Sequence, residues 1–551
     1  MHSSPVSPSD SAVRFAVDVR RLPWRRRLAV DYAFDFGQVE PFFSGNPADR
    51  AAWEAAIAAA HGHARPVREV SDIVVAQQER RGAPPEAIAA ARRLAEPGAV
   101  AIVTGQQAGL FGGPAFTLLK AATTIRLAEQ ISREHSVTAV PVFWIDAEDH
   151  DWDEVRGCAV LDAQLNVAAI EAAAPEGAGE RTIGSLRWPA GIVEATEALF
   201  GALPATDFTP WLAEIVRGAY APGRGVAESF GRILDAILGP HGLVVYDASD
   251  RAAKPLVAEL FARELEHPGR TALLAARAGA DLVSRGYHMQ VAPHAGSAAL
   301  FELDGGRVPI RHEGSHFAVG DVMVPDAEMV ARARTHPEAF SPNVLLRPVV
   351  QDSLFPTICY VAGPNELAYL AQLRGVYESF GVPMPLMQPR ASATLIDAAA
   401  VRFLAKYDVP FEALQPQDEH ALNELLKTLL PPDVERALRD AGEQITARME
   451  VVVEAVPTID PTLEGRARSA LGRMQHELET LQTKVLQAAK RRDETLRRQF
   501  THVQAQAFPG GQPQERTIGG ISFLGRYGPA VVGRLLEELP VDGGTHWIVT
   551  I

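Results

Sequence analysis

The hydrophobic positions between residues 99 and 154 form two short blocks with a helical pattern between them. The first block, residues 99–103, ends in TGQQ, and the second, residues 140–145, ends in a dense run of acidic residues. Between them, apolar residues recur at intervals of three or four, which predicts a helix: Leu118, Leu119, Ala122, Ile125, Leu127 and Ala128. Polar residues therefore gather at the carboxyl ends of two predicted strands, the edge at which open α/β sheets bind ligands.

A glycine-rich turn, GLFGGP at residues 109–114, joins the first strand to the helix. Glycines let backbone N–H groups approach a phosphate or carboxylate, which a helix N-terminus also attracts, and Lys120 is expected to reach the same anion. A tight turn without a ligand explains the glycines equally well, and the pattern matches neither common nucleotide fingerprint. The adjacent amides of Gln106 and Gln107, which have no role in core packing, favour a binding site.

The acidic cluster at residues 146–154 contains seven ionisable groups in nine residues. A solvated loop or the start of a helix often has this composition. Trp144 and Trp152 suggest instead a partly enclosed wall, where packed like charges raise pKa values as a general acid or base requires. Asp149, His150 and Asp151 are therefore candidate catalytic residues. Binding of a divalent ion ranks lower: carboxylates suit Mg²⁺, zinc usually takes more Cys or His, and no resident metal is predicted.

The same pattern of an apolar run followed by polar residues returns in residues 242–247 and 345–394, which we assign to the same sheet. Gly363 and Pro364 open another helix, and Glu366 lies near its N-terminus, where the helix dipole alone also favours a carboxylate. Arg390 can bind a carboxylate or phosphate through its planar fork, although a surface ion pair explains it as well. The candidate substrate-binding residues of this region are Arg347, Gln351, Asp352, Gly363, Glu366 and Arg390.

Beyond residue 397 the pattern becomes helical. Apolar residues recur at a spacing of four and three in residues 434–456 and again in residues 467–488. Sustained heptads predict a coiled coil, and the short proline-containing loop between them predicts an antiparallel hairpin. Because such a hairpin leaves apolar surface uncovered, we predict homodimerisation through this arm.

The composition is that of a globular chain of several domains, with 551 residues of which 47% are hydrophobic and 22% charged. A net charge of −15 argues against general binding to nucleic acid or anionic membranes. No apolar window of about 18 residues predicts a membrane span. No apolar h-region follows the basic residues 20–27, as an export signal requires, because Asp31, Asp35 and Glu40 interrupt it. Two cysteines, Cys158 and Cys359, exclude a disulfide framework and favour the cytoplasm. The first ten residues are typical of a disordered tail.

Three blocks of sequence carry a family resemblance. They are TGQQAGLFGGPAFTLLK with FWIDAEDHD, then LLRPVVQDSLFPTICYVAGPNELAYLAQLRGVYESFGVPMPLMQPRASAT, and PQERTIGGISFLGRYG near the C-terminus. In this order and spacing, over nearly the whole chain, they resemble the cysteine ligases of bacillithiol biosynthesis, the BshC family. Gly112 is a departure, because a threonine is expected there, and it removes one hydroxyl contact from the loop.

The resemblance implies an α/β fold: a Rossmann-like parallel-sheet core similar to class I nucleotidyltransferases, with small inserted subdomains and a C-terminal antiparallel coiled-coil arm. The order of the sequence patterns agrees with it. The predicted core comprises residues 1–160, 226–303 and 341–396, with insertions at 161–225 and 304–340. Residues 397–508 are predicted to form the arm, and residues 509–551 to return to the core.

The resemblance also implies the last step of bacillithiol synthesis, which joins the carboxyl of L-cysteine to the amine of glucosaminyl malate. Amide formation needs an activated carboxylate, so ATP is the expected cofactor and Mg²⁺ a candidate companion. The residues expected to bind the nucleotide are Gly105, Gln106, Gly112, Gly113 and Thr117. Those expected to act in catalysis are Gln107, Lys120 and one of Asp149, His150 or Asp151, the last group as proton acceptor. A different nucleotidyltransferase-like ligase and a non-catalytic coiled-coil scaffold remain open alternatives.

Overall fold

The computed structural model describes residues 14–294, 296–428, 432–492 and 494–551. The predicted disordered tail, residues 1–10, lies outside these ranges. The chain divides into two compact units. The first contains the chain up to residue 394 together with residues 514–549, and the second contains residues 395–513.

The strands of the described residues alternate with helices along most of the first unit. In chain order the strands are β1 (Arg14–Asp18), β2 (Val100–Gln106), β3 (Ala139–Ile145), β4 (Gly157–Leu161), β5 (Val167–Glu171), β6 (Val244–Asp247), β7 (Ser297–Leu303), β8 (Arg307–Glu313), β9 (His316–Val319), β10 (Val322–Pro325), β11 (Phe340–Pro342), β12 (Thr357–Ala362), β13 (Leu386–Pro389), β14 (Ser392–Ile396) and β15 (Thr545–Thr550).

The α-helices fall in both units. Those before residue 395 are α1 (Arg27–Phe34), α2 (Arg50–Gly62), α3 (Val67–Arg81), α4 (Pro85–Arg93), α5 (Ala115–His135), α6 (Trp152–Val155), α7 (Ile192–Ala202), α8 (Thr209–Ala219), α9 (Val226–Leu238), α10 (Ala258–Glu266), α11 (Arg270–Ser284), α12 (Asp326–Thr335), α13 (Arg347–Leu354), α14 (Pro364–Leu370) and α15 (Arg374–Phe380). Those after it are α16 (Ala398–Tyr407), α17 (His420–Thr428), α18 (Pro432–Ala455), α19 (Leu463–Arg492), α20 (Glu494–Ala507), α21 (Gln514–Thr517), α22 (Gly520–Tyr527) and α23 (Ala530–Glu538).

A parallel sheet forms the centre of the first unit, and its strand order is β13-β12-β2-β3-β6. The strands are continuous apolar runs because both faces of the sheet are covered. Along β2, Val100 and Ile102 pack into one core with Leu127 of α5, whereas Ala101 and Val103 point into the core on the other face. The predicted Rossmann-like fold class is confirmed, and the later blocks at β6 and β12 join the same sheet as predicted.

The chain changes direction within this sheet at β2. It runs from β2 through β3 to β6 on one side, and then continues with β12 and β13 on the other side. In open parallel sheets a crevice opens at this switch point, outside the carboxyl ends of the two central strands. The ends of β2 and β12 are the segments that the sequence predicted to be functional.

A second sheet, with strand order β10-β9-β8-β7-β11, is antiparallel along its paired strands and spans residues 297–342. The predicted domain boundary at residues 303 and 304 falls inside this sheet, between paired strands β7 and β8. Elsewhere in the first unit, β4 and β5 form a hairpin, and β1 pairs antiparallel with β15. Strand β15 brings the C-terminal segment back into the first unit.

The second unit contains the helical arm. Its two long helices, α18 and α19, pack together in antiparallel directions. Gln475 donates a hydrogen bond to the Thr446 hydroxyl at 3.2 Å, and Gly442, one turn earlier in α18, lies beside Leu478, which comes later in α19. The predicted antiparallel hairpin is confirmed. Apolar side chains remain exposed on the arm, among them Val451, Ile459 and Leu481. Across the described ranges, none of the helices has the length and apolar character needed to span a bilayer.

Candidate active site

A cavity of about 680 Å³ lies outside the carboxyl ends of β2, β3 and β12, at the switch point of the parallel sheet. Its size is typical of small-molecule sites, which occupy roughly 300–1,000 Å³. Its cationic lining residues are Lys120, Arg307, Arg347, Arg390 and Arg516. Its carboxylate lining residues are Asp146, Asp149, Glu154 and Glu366.

The predicted site residues divide into two groups by position. Those that line the cavity are Gly105, Gln106, Gln107, Lys120, Asp149, Arg347, Gly363, Glu366 and Arg390. Those that do not belong to its described lining are Gly112, Gly113, Thr117, His150, Asp151, Gln351 and Asp352. The cavity therefore joins strand ends that are far apart in the sequence, but only part of each predicted motif reaches it.

Lys120 connects the ends of β2 and β12. Its ammonium group lies 2.7 Å from the Gly105 carbonyl oxygen, 3.0 Å from Gln106 Oε1 and 2.6 Å from Glu366 Oε2. An ammonium group has three N–H donors, so these acceptors use all of them. Burial lowers the pKa of Lys120, and the neighbouring Glu366 opposes that shift. Lys120 thus holds Gln106 and Glu366 in place.

Glu366 is held from three directions. Besides Lys120, the Tyr360 hydroxyl donates to its Oε1 at 2.9 Å, and the backbone N–H of Gly363 donates to its Oε2 at 2.6 Å. The last contact closes the first turn of α14 in the manner of a capping box. Its fixed geometry follows from the Gly-Pro-Asn-Glu sequence at the start of the helix.

A second network involves Gln107 and Asp149. Arg307 Nη1 donates to Asp149 Oδ1 at 2.8 Å, and Gln107 Nε2 donates to Asp149 Oδ2 at 2.9 Å. The other amide atom, Gln107 Oε1, is buried without a hydrogen-bond partner among the described residues. Arg307 belongs to β8, which lies in the predicted insertion at residues 304–340. No sequence motif indicated that Arg307 would reach the site.

The two residues after Asp149 lie at the margin of this network. His150 Nδ1 is 3.2 Å from Asp149 Oδ1, but 42% of the His150 side chain is exposed. Asp151 is exposed, and its carboxylate accepts the backbone N–H of Glu154 at 3.2 Å. Asp151 therefore caps α6, a role that its position before a helix explains.

Arg347 begins α13 and is nearly buried. Its Nη1 donates to Gln351 Oε1 at 3.1 Å, its Nη2 donates to the Tyr369 hydroxyl at 3.1 Å, and its Nε lies 3.6 Å from Asp146 Oδ2. Burial raises the pKa of Asp146, and Arg347 opposes that shift.

Gln351 and Asp352 were predicted to bind substrate, and the structure places both behind Arg347, fully buried. Gln351 donates to Asp352 Oδ1 at 2.9 Å, and the Tyr377 hydroxyl donates to Asp352 Oδ2 at 2.5 Å. The reason is that residues 347–354 form a helix rather than the end of a strand, so Gln351 follows one turn behind Arg347. Gln351 supports Arg347, and Asp352 lies one layer deeper.

Arg390 lines the cavity, but its fork is occupied. Its Nη1 and Nη2 donate to the two carboxylate oxygens of Glu515 at 2.9 and 2.7 Å, and both side chains are only 3% exposed. Burial alone raises the pKa of Glu515, but Arg390 and Arg25 hold it below its usual value. The interaction is thus neither the predicted substrate contact nor a surface ion pair, but a buried pair that ties α21 to the end of β13.

The glycine turn faces protein rather than the cavity. The N–H groups of Gly112 and Gly113 donate to the carbonyls of Gly109 and Leu110, and the N–H of Ala115, at the start of α5, donates to Ile518 at 2.7 Å. A side chain at Gly109 would approach Gly113 Cα to 2.9 Å, which explains the glycine there. Thr117 is buried in the same helix turn. The glycine turn, which was predicted to bind phosphate, therefore contacts the C-terminal segment of the protein instead.

The acidic cluster contains no ready metal site. Glu148 is buried and paired with Lys254, which also donates to the Phe340 carbonyl at 2.9 Å. Within the described ranges, no group of three or more His, Cys, Asp or Glu side chains is arranged to hold a metal ion. Mg²⁺ bound together with a phosphate group would need only one or two carboxylates, and four carboxylates line the cavity.

Two charged groups of the cavity lack an oppositely charged partner. Across the described chain, neither Arg516 nor Glu154 forms an ion pair within 4.0 Å, whereas the other lining carboxylates each have a cation. Burial lowers the pKa of Arg516, as does its neighbour Arg390. Partial burial raises the pKa of Glu154 to about 7, helped by Asp151 and the other nearby carboxylates. Neither Arg516 nor Glu154 was among the site residues predicted from the sequence.

Comparisons with known proteins agree with the fold. The family models "Bacillithiol biosynthesis BshC, N-terminal Rossmann-like domain" and "Bacillithiol biosynthesis BshC, C-terminal coiled-coil domain" match residues 16–391 and 393–551. Among similar relatives named "Putative cysteine ligase BshC", that of Salinibacter ruber is 34% identical over 95% of this chain and 96% of its own length. Those of Koribacter versatilis and Chlorobaculum tepidum are 34% and 32% identical, over 95% and 81% of this chain and 97% and 82% of theirs. The chain therefore belongs to the BshC family.

Proposed function

We propose that this chain is a cysteine ligase that forms the amide bond between the carboxyl of L-cysteine and the amine of glucosaminyl malate, the last step of bacillithiol biosynthesis. The names of the relatives support cysteine as the substrate and ligation as the reaction. The charges of the cavity support the acceptor, which carries carboxylates on its malate part, hydroxyls on its sugar and an amine at the reacting position.

The unpaired cation carries this proposal. Lys120, Arg307, Arg347 and Arg390 already face carboxylates of the protein, so they position groups rather than wait for an anion. Arg516 has no such partner in the described structure, and its guanidinium offers a planar set of donors that fits a carboxylate. We assign it to a malate carboxylate, with the neighbouring Arg390 adding positive potential.

The cysteine substrate needs a different contact, since its amine is cationic. Gln107 Oε1 is a buried acceptor without a donor, and a buried acceptor of this kind is stabilised when a ligand N–H reaches it. Asp149, fixed by Arg307 and by the other amide atom of Gln107, places a negative charge beside it. This pair gives a site for an ammonium group next to the carboxyl that reacts.

Amide formation from a carboxylate also needs a leaving group on the carboxyl carbon, and we propose that ATP supplies it as an acyl phosphate or acyl adenylate. The glycine turn does not fit the phosphates, because its N–H groups are used within the protein. In the cavity, the paired cations Lys120, Arg307 and Arg347 would stabilise the phosphates through their positive potential rather than by direct pairing. Mg²⁺ belongs to this proposal only as a companion of the nucleotide.

The test uses the purified full-length chain with L-cysteine, glucosaminyl malate, ATP and Mg²⁺, and detects bacillithiol by mass spectrometry. Released AMP with pyrophosphate, or ADP with phosphate, identifies the activated intermediate. Arg516→Ala should raise the KM for glucosaminyl malate about 10- to 100-fold, the range expected for a lost hydrogen bond to a charged group, with a smaller effect on the KM for cysteine.

Arg217→Ala is the matched control, because Arg217 is an arginine on the surface helix α8 paired with Glu197. It should leave both KM values unchanged. Absence of bacillithiol with every nucleotide tested would overturn the proposed reaction. Product formation with an unchanged KM in the Arg516→Ala variant would leave the reaction standing and refute the assignment of the acceptor's anion site.

A further inference from the structure

We propose that Glu154 is the catalytic base, which takes the proton from the attacking amine. The inference rests on the proposed amide-forming reaction and names a residue for it that differs from the three candidates of the acidic cluster. Its support is the arrangement of charges around the cavity rather than the residue type alone.

Three of the four carboxylates that line the cavity are paired with cations. Asp149 lies 2.8 Å from Arg307, Glu366 lies 2.6 Å from Lys120, and Asp146 lies 3.6 Å from Arg347. In each of these pairs the carboxylate holds a cation in place, and taking up a proton would break that pairing. Among the described residues that line the cavity, Glu154 is the carboxylate without such a partner.

The carboxyl group of Glu154 is held beside the amide of Gln106. Gln106 Nε2 lies 3.3 Å from Glu154 Oε1, and Gln106 Oε1 in turn accepts a hydrogen bond from Lys120 at 3.0 Å. Because Lys120 fixes the oxygen end of the amide, the nitrogen end must face Glu154. The hydrogen bond from Gln106 thereby holds Glu154 Oε1 at the side of the cavity, which leaves Oε2 of Glu154 for the substrate.

Charged groups from two elements face the carboxyl group of Glu154. Asp151, Asp149 and Asp146, all on the loop after β3, repel a negative charge on Glu154, while Lys120 of α5 attracts it. Together with partial burial they raise the pKa of Glu154 to about 7. A base is most effective when its pKa lies near the working pH, so the group is suited to accept a proton at neutral pH.

In the proposed step, the lone pair of the amine nitrogen forms the C–N bond with the activated carboxyl carbon of cysteine. The bond between that carbon and the phosphate oxygen then breaks, and its electron pair leaves with the phosphate or AMP. The proton that the nitrogen loses passes to the free oxygen of Glu154. Water then takes the proton from Glu154 before the next turnover.

Glu154→Gln tests the inference, with Asp153→Asn as the matched control. Asp153 is the adjacent residue, 87% exposed and paired with Arg156 outside the cavity lining. Amide formation at pH 7 should fall about 10²- to 10⁴-fold in Glu154→Gln, the usual contribution of a positioned base, and stay unchanged in Asp153→Asn. The wild-type rate should rise with pH through about 7, and in Glu154→Gln the part of this rise that Glu154 causes should be lost, which leaves only the titration of the substrate amine.

A second variant separates Glu154 from the titration of the substrate amine. Asp151→Asn keeps the cap of α6, since Asn is an equally good cap, but removes one of the charges that repel the Glu154 carboxylate. The rise of the rate with pH should therefore move to lower pH. The shift is read from the pH profile of kcat/KM, which reports the free enzyme and the free substrate. The free substrate amine is the same for both proteins, so it cannot cause that shift.

Hydroxylamine separates the two halves of the reaction. It is a neutral nucleophile near pH 7 and needs no base, so Glu154→Gln should still form the hydroxamate of cysteine from ATP at the wild-type rate. A Glu154→Gln variant that keeps the wild-type pH profile, or that loses hydroxamate and amide formation equally, would overturn the role of Glu154. A wild-type protein that forms neither product would instead refute the proposed function.

Discussion

The buried pair between Arg390 and Glu515 should be essential to the stability of the first unit, and Glu515→Gln tests this. The Glu515 carboxylate accepts four hydrogen bonds: two from Arg390, one from the Ser392 hydroxyl at 3.1 Å and one from the backbone N–H of Ala393 at 3.3 Å. The substitution keeps the shape of the side chain but removes its charge. Arg390, at 3% side-chain exposure, would then be a buried cation without its counter-ion.

The expected cost follows from that burial. Removing one partner of a buried ion pair destabilises a protein by about 3–5 kcal/mol, because the remaining charge is uncompensated. Glutamine can still accept part of the hydrogen bonding, so we expect the lower end, about 3 kcal/mol. A second cation adds to the effect: burial lowers the pKa of Arg25 to about 10, and Glu515 opposes that shift. One carboxylate thus serves two buried guanidinium groups.

Urea unfolding of the full chain, followed by tryptophan fluorescence, measures the change. Glu197→Gln is the control, because Glu197 and Arg217 form an ion pair on the surface with side chains 59% and 55% exposed. Such pairs contribute at most about 1 kcal/mol. Equal unfolding midpoints for the two variants would refute the reasoning.

The pH dependence gives a second measurement on the same variant. The folded protein holds the pKa of Glu515 below the usual value of 4.5, so its contribution is complete above that pH and is lost as the pH falls further. The difference in stability between the wild type and Glu515→Gln should therefore narrow below pH 4.5. A difference that stays constant down to acid unfolding would show that the charge of Glu515 is not what stabilises the pair.

Three further predictions concern other parts of the chain. Burial lowers the pKa of His546 from 6.5 to about 4, so stability should fall by up to about 3 kcal/mol as the pH drops across that interval, and His546→Gln should remove this dependence in urea unfolding. Leu481 is 50% exposed on the arm, and if the arm forms a homodimer, Leu481→Glu should convert the dimer to monomer in light scattering; a monomeric wild type would refute the dimer. A side chain at Gly105 would approach the Trp144 carbonyl oxygen to 2.9 Å, so Gly105→Ala should displace the end of β2 and lower ligand affinity, whereas Gly201→Ala, on an open helix surface, should not. Unchanged affinity in Gly105→Ala would contradict the tight packing of the strand end.

The parallel sheet and the position of its crevice could be predicted because their signals are local. Each central strand is a short apolar run ending in polar residues, and a strand buried on both faces needs no partner in the pattern to be recognised. The coiled-coil arm could be predicted equally well, because the heptad pattern repeats within a single helix. These features depend on residues that are close in the sequence.

The glycine turn shows where local signals fail. A Gly-rich turn before a helix has the same sequence whether its N–H groups face a phosphate or a protein carbonyl. Here the acceptor for Ala115 is the carbonyl of Ile518, about four hundred positions further along the chain. Only the tertiary fold identifies that partner, so the sequence left both interpretations open and the functional one was preferred.

Arg307 and Arg516 are residues of the cavity that the sequence did not indicate. Arg307 lies in an antiparallel sheet whose sequence carries no motif, and it reaches the cavity because β8 pairs with β7. Arg516 lies within the PQERT block that carried the family resemblance, beside Glu515. The sequence could not show that Glu515 pairs with Arg390 and leaves Arg516 without a carboxylate.

Pairing, rather than residue type, separates the supporting charges of this cavity from those free to act on a substrate. An arginine in an ion pair directs its N–H donors at a carboxylate of the protein, and a carboxylate in an ion pair would lose its attraction to the cation if it took up a proton. Both groups are therefore better suited to holding their neighbours in place. Leaving a charge unpaired near a cavity costs stability, and such costs are typical of functional sites. By this criterion our proposal keeps the base in the acidic cluster but moves it from Asp149, His150 or Asp151 to Glu154, which forms no ion pair with a cation among the described residues.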